Sequence, residues 1–188
     1  MLNLISAIHG TGVAASTNSY ESIATVTVGS GGSSSITFSS IPNTYKHLQI
    51  RAIGRAAAAQ TAGEAQIRIN SDSGSSYTYH NLRGNGASAS ADGSSALTYM
   101  YSQFRFAGGN DTANTFGALV MDILDYANTS KYKTVRSLAG YDANGSGSIG
   151  LNSSVWLSTS AITSIVFEVQ GSTNWAQYSQ FALYGIKG

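Results

Sequence analysis

Short runs in which apolar and polar residues alternate recur along most of the chain. In the segment 47–54, Leu48 and Ile50 fall on one face, whereas Gln49 and Arg51 fall on the other. This period of two is that of a half-buried β-strand. The pattern, with Gly, Asn and Ser between the runs, predicts eleven strands, at 21–28, 35–39, 47–54, 65–70, 77–82, 97–106, 116–124, 132–139, 149–157, 162–169 and 180–186.

Helical periodicity is absent, because no window repeats apolar residues at i, i+3, i+4 and i+7 over three turns. The alanine-rich segment 55–60 has helical propensity but is short, so a loop or a single turn is expected there. Many short strands without helical crossovers predict an all-β fold, an antiparallel, jelly-roll-like β-sandwich. The single proline, Pro42, lies between two predicted strands, where its missing N–H removes no hydrogen bond from a sheet.

The chain divides into two predicted parts. Residues 20–188 are expected to form a single β-sandwich domain, a usual size for one domain. Residues 1–19 are expected to be an N-terminal arm that makes assembly contacts. Its apolar residues would dock into a groove of a partner or of a neighbouring copy, and they are Leu2, Leu4, Ile5 and Ile8.

Composition removes several classes of function. The chain has no cysteine, which excludes disulfides, thiolate metal sites and cysteine nucleophiles. The chain has ten Lys and Arg residues and nine Asp and Glu residues, so its net charge does not indicate a nucleic-acid partner. No apolar run reaches the roughly 18 residues of a membrane span. Charged residues make up only 10% of the chain, which suits either contact with many partner copies or a Ser/Thr-rich sheet face.

Candidate catalytic residues do not form a recognisable constellation. His9, His47 and His80 have no metal-ligand spacing, so we expect no metal site and no cofactor. Asp122 and Asp125 are three apart on a predicted strand and would face opposite ways. A glycosidase pair needs two carboxylates about 5–10 Å apart in a cleft. The nine scattered acids do not indicate such a pair, and we expect no enzyme activity.

Two other segments are predicted to be turns. The run 142–147 begins like a calcium loop, but Ser153 stands where the bidentate glutamate should be, so a hairpin turn is expected. The run 70–74 is expected to be a turn in which side chains bond to the backbone.

Tyrosine is frequent, and two pairs fall on alternating positions. Tyr77 and Tyr79 form one pair, and Tyr99 and Tyr101 form the other, so each pair is predicted to share a face. Such rings stack on sugars or anchor a protein interface when they are exposed, and otherwise they pack in the core. Of these roles, core packing is the favoured expectation.

Three blocks of the chain resemble a group of small proteins of tailed bacteriophages, including cyanophages and other aquatic phages. The blocks are 20–55 (YESIATVTVGSGGSSSITFSSIPNTYKHLQIRAIGR), 77–86 and 181–187. The resemblance implies a virion structural protein, either a head decoration protein or a tail-fibre component. It supplies no catalytic residues, and residues 1–19 lie outside it.

These observations lead to one expectation and one alternative. We expect a capsid decoration (cement) protein on the capsid surface of the virion, a homotrimer that binds the major capsid protein and stabilises the head. The alternative is a tail-fibre or receptor-binding tip that holds host surface carbohydrate on tyrosines and tryptophans. Neither interpretation includes nucleic acid, a membrane or a cofactor.

Overall fold

The computed structural model describes residues 19–60 and 62–188 and contains only β-strands and loops there. No helix that could span a membrane occurs among these residues. The twelve strands are β1 (Tyr20–Thr27), β2 (Ser35–Phe38), β3 (His47–Gly54), β4 (Gly63–Ile69), β5 (Tyr77–Gly84), β6 (Ala89–Leu97), β7 (Met100–Phe106), β8 (Gly117–Ile123), β9 (Lys133–Asp142), β10 (Gly147–Trp156), β11 (Ile165–Val169) and β12 (Gln180–Ile186).

The strands form two antiparallel sheets that pack against each other. The large sheet has the order β1-β12-β3-β8-β9-β10-β5-β6, and the small sheet has the order β2-β11-β4-β7. The pairs β1·β12, β2·β11, β3·β8 and β4·β7 are nested, as if one long hairpin had been rolled up, although β3·β8 lies in one sheet and β4·β7 in the other. This is jelly-roll connectivity. The predicted all-β sandwich is therefore confirmed.

Two hairpins are added to the eight jelly-roll strands. The hairpin β5–β6 is inserted between β4 and β7, and the hairpin β9–β10 between β8 and β11. Both join the large sheet, which therefore extends four strands beyond β8. The β9–β10 turn places Asn144 and Gly145 at positive φ, as a two-residue type I′ turn requires.

The core lies between the sheets and is rich in aromatic rings. Trp175 is fully buried, and its ring centroid lies 4.6 Å from that of Phe106 and 4.8 Å from that of Phe181. Its indole N–H donates to the Phe167 carbonyl at 3.3 Å, so the buried polar atom is satisfied. The alternation predicted for β3 and β4 is confirmed, with Leu48, Ile50, Ile67 and Ile69 buried.

Several details differ from the sequence predictions. The strand β6 was not predicted, and the predicted strand 97–106 is the end of β6 followed by β7. Asp125 does not lie on a strand, because β8 ends at Ile123 and Asp125 sits in the following turn with φ of 48°. Residues 55–60 form a loop, as expected. The predicted arm residues Leu2, Leu4, Ile5 and Ile8, together with His9, lie outside the described residues.

Candidate assembly interface

The outer face of the large sheet carries a row of exposed aliphatic side chains across four strands. Directly paired residues in antiparallel strands project to the same side. Leu151 of β10 pairs with Leu82 on one side and with Leu138 on the other, and Leu138 pairs with Val120. The exposed fraction of these four side chains ranges from 41% for Val120 to 52% for Leu82 and Leu151. The register of the strands therefore aligns these four side chains in one row.

A second row runs beside the first. Ile149 pairs with Gly84 and Gly140, Gly140 pairs with Ala118, and Ala118 pairs with Ile53. Ile149 is 59% exposed. We call the six large side chains of the two rows the apolar outer face; they are Ile53, Leu82, Val120, Leu138, Ile149 and Leu151.

The apolar outer face contains a groove of about 700 Å³. Its lining includes Val120, Leu138 and Ile149. The glycines Gly84 and Gly140 flank Ile149 in the same row and have no side chains to fill the space. At one end, the groove is lined by residues of the β9–β10 turn. Large contiguous apolar surfaces are typical of binding sites in folded proteins, so this face is the candidate interface.

The orientation of β10 explains why this face is apolar. Its residues Gly150, Asn152 and Ser154 are buried, whereas Ile149 and Leu151 are exposed. The usual inside-outside pattern is reversed there. Beneath β10 lies β7, whose Gln103 contacts the position of Gly150. This end of the interior is polar, so the aliphatic residues of β10 do not serve the core.

A polar row limits the apolar outer face along the strands. Ser153 pairs with His80 and Arg136, Arg136 pairs with Asp122, and Asp122 pairs with Gln49. The Gln49 amide donates to Asp122 Oδ1 at 2.8 Å, and Arg136 Nη2 lies 3.4 Å from Asp122 Oδ2. Charged Arg136 therefore lies on the outer face two residues along β9 from Leu138.

The outer face of the small sheet has the opposite character. On β4 and β11, the outward residues include Arg68 and Glu168, which form an ion pair, and Gln66. Glu168 is thus an outward residue. Because one sandwich face is polar and the other apolar, the apolar outer face is not a general property of this Ser- and Gly-rich chain.

The candidate acids and histidines do not converge. Asp122 lies in the polar row, whereas Asp125 binds the ammonium groups of Lys46 and Lys131. These two lysines hold the pKa of Asp125 at about 2. His47 Nδ1 accepts a hydrogen bond from the Asp125 backbone N–H at 3.0 Å. Within residues 19–60 and 62–188, no group of three His, Cys, Asp or Glu residues could hold a metal ion.

The aromatic residues expected at a sugar site are distributed differently from the prediction. Trp156 and Trp175 are buried, so the part of the alternative that used tryptophans is wrong. Tyr77 is in the core, as the favoured expectation had it, and its hydroxyl donates to the Asp72 carbonyl at 3.0 Å; Tyr79 lies on the same inward side of β5. Both tryptophans and Tyr77 are therefore core residues.

A cluster of three half-buried tyrosines remains. Tyr79 and Tyr101 have ring centroids 5.1 Å apart, and Tyr99 and Tyr101 have hydroxyls 2.8 Å apart. Burial, followed by the hydrogen bond from Tyr99, raises the pKa of Tyr101 above its usual range. These rings pack mainly against each other, although part of their surface is exposed.

Sequence reasoning did not find the apolar outer face. The signal was present in β10, where Ile149 and Leu151 alternate with Gly, Asn and Ser, but an apolar set is normally assigned to the core. Only the pairing of β10 with β5 and β9 shows that these residues join Leu82 and Leu138.

Comparisons with family models, with curated proteins and with solved structures found no match to this chain.

Proposed function

We propose that this protein is a structural assembly protein of a virus particle and that it binds another protein subunit through the apolar outer face. The observation that carries the proposal is the pair of cross-strand rows centred on Leu151, Leu138 and Ile149. The resemblance of residues 20–55 to small phage proteins supports the particle context. As a decoration protein, the chain would cover the capsid surface and tie neighbouring major capsid subunits together.

The chemistry of the face indicates the kind of partner. Neither row has a charged residue between Leu82 and Val120 or between Ile149 and Ile53. An anionic lipid surface would be met by a cluster of Lys and Arg. A protein partner with its own uncharged apolar patch fits the face instead, because no charge has to be desolvated at the centre.

The strength of one such contact is limited. Fully burying a Val, Leu or Ile side chain contributes about 1.5–3 kcal/mol. Six side chains that are about half exposed can therefore contribute roughly 4–9 kcal/mol. Association costs about 4–15 kcal/mol in lost translational and rotational freedom, so one face alone gives weak binding. Several copies bound together gain by avidity, which supports the proposed homotrimer on a repetitive surface.

The first test is the copy number in purified particles. Quantitative mass spectrometry should find hundreds of copies per particle, on the order expected when a protein covers a repetitive capsid surface. A few dozen copies or fewer would contradict the decoration role and favour a tail location.

The second test addresses the face itself. We expect Leu151→Glu to abolish binding of the added protein to particles that lack it, because a buried unpaired carboxylate is strongly unfavourable. Ser153→Glu is the matched control, since Ser153 lies two residues along the same strand in the polar row and is also exposed. Equal loss in both variants, or no loss in Leu151→Glu, would show that the partner docks elsewhere.

The alternative is a tail-fibre tip that binds host carbohydrate. The half-buried cluster of Tyr79, Tyr99 and Tyr101 favours it, because aromatic rings that are partly exposed can pack against a sugar. A polysaccharide array with the wild-type chain and Tyr79→Ala separates the two functions. Sugar binding that depends on Tyr79, with a low copy number, would replace the decoration role by this one.

A further inference from the structure

A second cavity lies between the β5–β6 hairpin and β7, and it shares Gly84, Asn85 and Ser148 with the lining of the groove in the apolar outer face. Its volume is about 370 Å³. Almost all of its lining is polar, and its lining side chains include two guanidinium groups and three serine hydroxyls. We call it the oxyanion pocket, and it is lined by Arg83, Gly84, Asn85, Ser88, Ser90, Arg105 and Ser148.

Arg105 is unusual because its donors are unused. Its guanidinium forms no hydrogen bond or ion pair with any residue of the part of the chain that the structure describes, and its Nε is buried. Glu64 pairs with Arg105 across the β4–β7 ladder, but the two side chains are not in ion-pair contact. A buried donor without a partner costs about 1–3 kcal/mol. The guanidinium is therefore available to a ligand.

Arg83 is held in place by contacts within the β5–β6 hairpin. Its Nε donates to Ser90 Oγ at 3.0 Å, and its Nη2 lies 3.7 Å from Asp92 Oδ2. Because Arg83 sits on β5 and Ser90 on β6, this contact fixes the guanidinium across the hairpin. Its Nη1 has no hydrogen-bond partner among the described residues. The second guanidinium is thus both positioned and partly free.

The β5–β6 turn orders the rim of the pocket. Asn85 Oδ1 accepts the backbone N–H groups of Ala87 and Ser88 at 3.0 and 2.9 Å, and also the Ser88 hydroxyl at 3.3 Å. The Asn85 backbone N–H donates to the Ser88 carbonyl at 3.2 Å. The rim is therefore set by local bonds before any ligand enters, which lowers the entropy cost of binding.

The charged groups that line the pocket favour an anion. Glu64 and Asp92 are the acids near the two arginines, but neither lines the pocket. Burial raises the pKa of Glu64, while the nearby charges of Arg105 and Arg83 oppose that rise. An anion in the pocket therefore meets two arginines of its lining, whereas the two carboxylates lie outside that lining.

We propose that the oxyanion pocket binds a carboxylate, sulfate or phosphate group, free or carried on a ligand of about one sugar residue. Guanidinium groups bind these oxyanions through paired N–H donors, and the serine hydroxyls supply neutral donors and acceptors for the rest of the ligand. The volume lies at the small end of ligand sites. This binding function goes beyond the proposed assembly role and does not depend on it.

Calorimetric titration of the full chain tests the proposal. The probes are inorganic phosphate, glucose 6-phosphate, glucuronate and, as the neutral control, glucose. We expect the anionic probes to bind and glucose not to bind. Equal affinity for phosphate and glucose 6-phosphate would assign a free oxyanion as the ligand, whereas tighter binding of the sugar phosphate would assign the sugar-borne group.

Variants connect the binding to the pocket. Arg105→Gln should weaken the binding of glucose 6-phosphate about tenfold or more, and Arg83→Gln should do the same. Arg136→Gln is the matched control, because this arginine is 68% exposed in the polar row of the outer face. If Arg105→Gln does not fold, Arg105→Lys replaces it in the test, because this variant keeps the positive charge and loses the guanidinium. No binding of any anionic probe, or equal loss in Arg136→Gln, would overturn the proposal.

Discussion

Phe104 and Leu151 are both large apolar residues, and they lie on strands that pack against each other, β7 and β10. Phe104 is fully buried and contacts the rings of Phe106 and Trp175. Leu151 is 52% exposed, and its partners Leu82 and Leu138 are exposed as well. At the scale of single residues, the two side chains therefore have different roles.

This difference predicts two contrasting effects on stability. Phe104→Ala should lower the free energy of unfolding by about 3–5 kcal/mol, because it leaves a cavity among aromatic rings. Leu151→Ala should change it by less than about 0.5 kcal/mol. Urea unfolding of both variants measures the two values. A loss in Leu151→Ala as large as that in Phe104→Ala would mean that Leu151 stabilises the fold and is not free for a partner.

Asp125 gives a prediction on pH. Its pKa of about 2 in the folded chain, held down by Lys131 and Lys46, is below the ordinary value of 3.8. A lowered folded-state pKa contributes stability above pH 3.8 that is lost as the pH falls through about 2. Both lysines are more than half exposed, so the contribution is small and is screened by salt.

The Asp125→Asn variant should therefore show a shallower loss of stability between pH 4 and pH 2, about the range set by the two pKa values. Thermal melting across that range, at low salt and at about 1 M NaCl, measures it. The slopes of the two proteins should converge at high salt. Identical slopes at low salt would show that the ion pairs do not form in solution.

At the scale of strands, the fold was predictable wherever β-branched and aromatic residues alternate. β3, β4 and β12 were predicted within a few residues because one face of each is buried. β6 was not, because its sequence, Ala-Ser-Ala-Asp-Gly-Ser-Ser-Ala-Leu, has no β-branched or aromatic residue. All its residues before Leu97 are exposed. It is a strand only because β5 offers a ladder to pair with.

The candidate sites were less predictable than the strands. The apolar outer face joins five strands, β3, β5, β8, β9 and β10, and the oxyanion pocket joins β5, β6, β7 and β10. Alternation within one strand shows which residues share a side, but not whether that side meets the other sheet. In β10 the apolar side is the outer one, because β7 packs beneath the strand and places polar Gln103 against it. No local pattern carries that information.

The close approach of β7 and β8 predicts an effect of a single methyl group. A Cβ on Gly117 would clash with the Arg105 carbonyl oxygen and lie 2.7 Å from Phe106 Cα, both of them backbone atoms that cannot move alone. Gly117→Ala should therefore destabilise the chain by about 1–3 kcal/mol. Gly29→Ala is the control, since a Cβ there meets nothing within 4 Å. Equal melting temperatures for the two variants would contradict this packing of the sheets.

At the scale of the whole molecule, the two proposed sites differ in their physical chemistry. The apolar outer face has no charge at its centre, and the hydrophobic contribution to binding depends little on moderate salt. The oxyanion pocket uses two guanidinium groups, and part of its rim is exposed, so salt screens its attraction for an anion. A net charge of +1 adds no long-range field that would mask this difference.

Raising NaCl from about 0.05 M to about 0.5 M should therefore weaken glucose 6-phosphate binding several-fold while particle binding stays within about twofold. Both can be measured on one preparation, by calorimetry and by co-sedimentation. The two responses are independent, because Leu151→Glu should remove only particle binding and Arg105→Gln only anion binding. If particle binding instead fell with salt as steeply as anion binding, charged contacts would hold the protein on its partner. The polar row around Arg136 and Asp122 would then replace the apolar outer face as the interface.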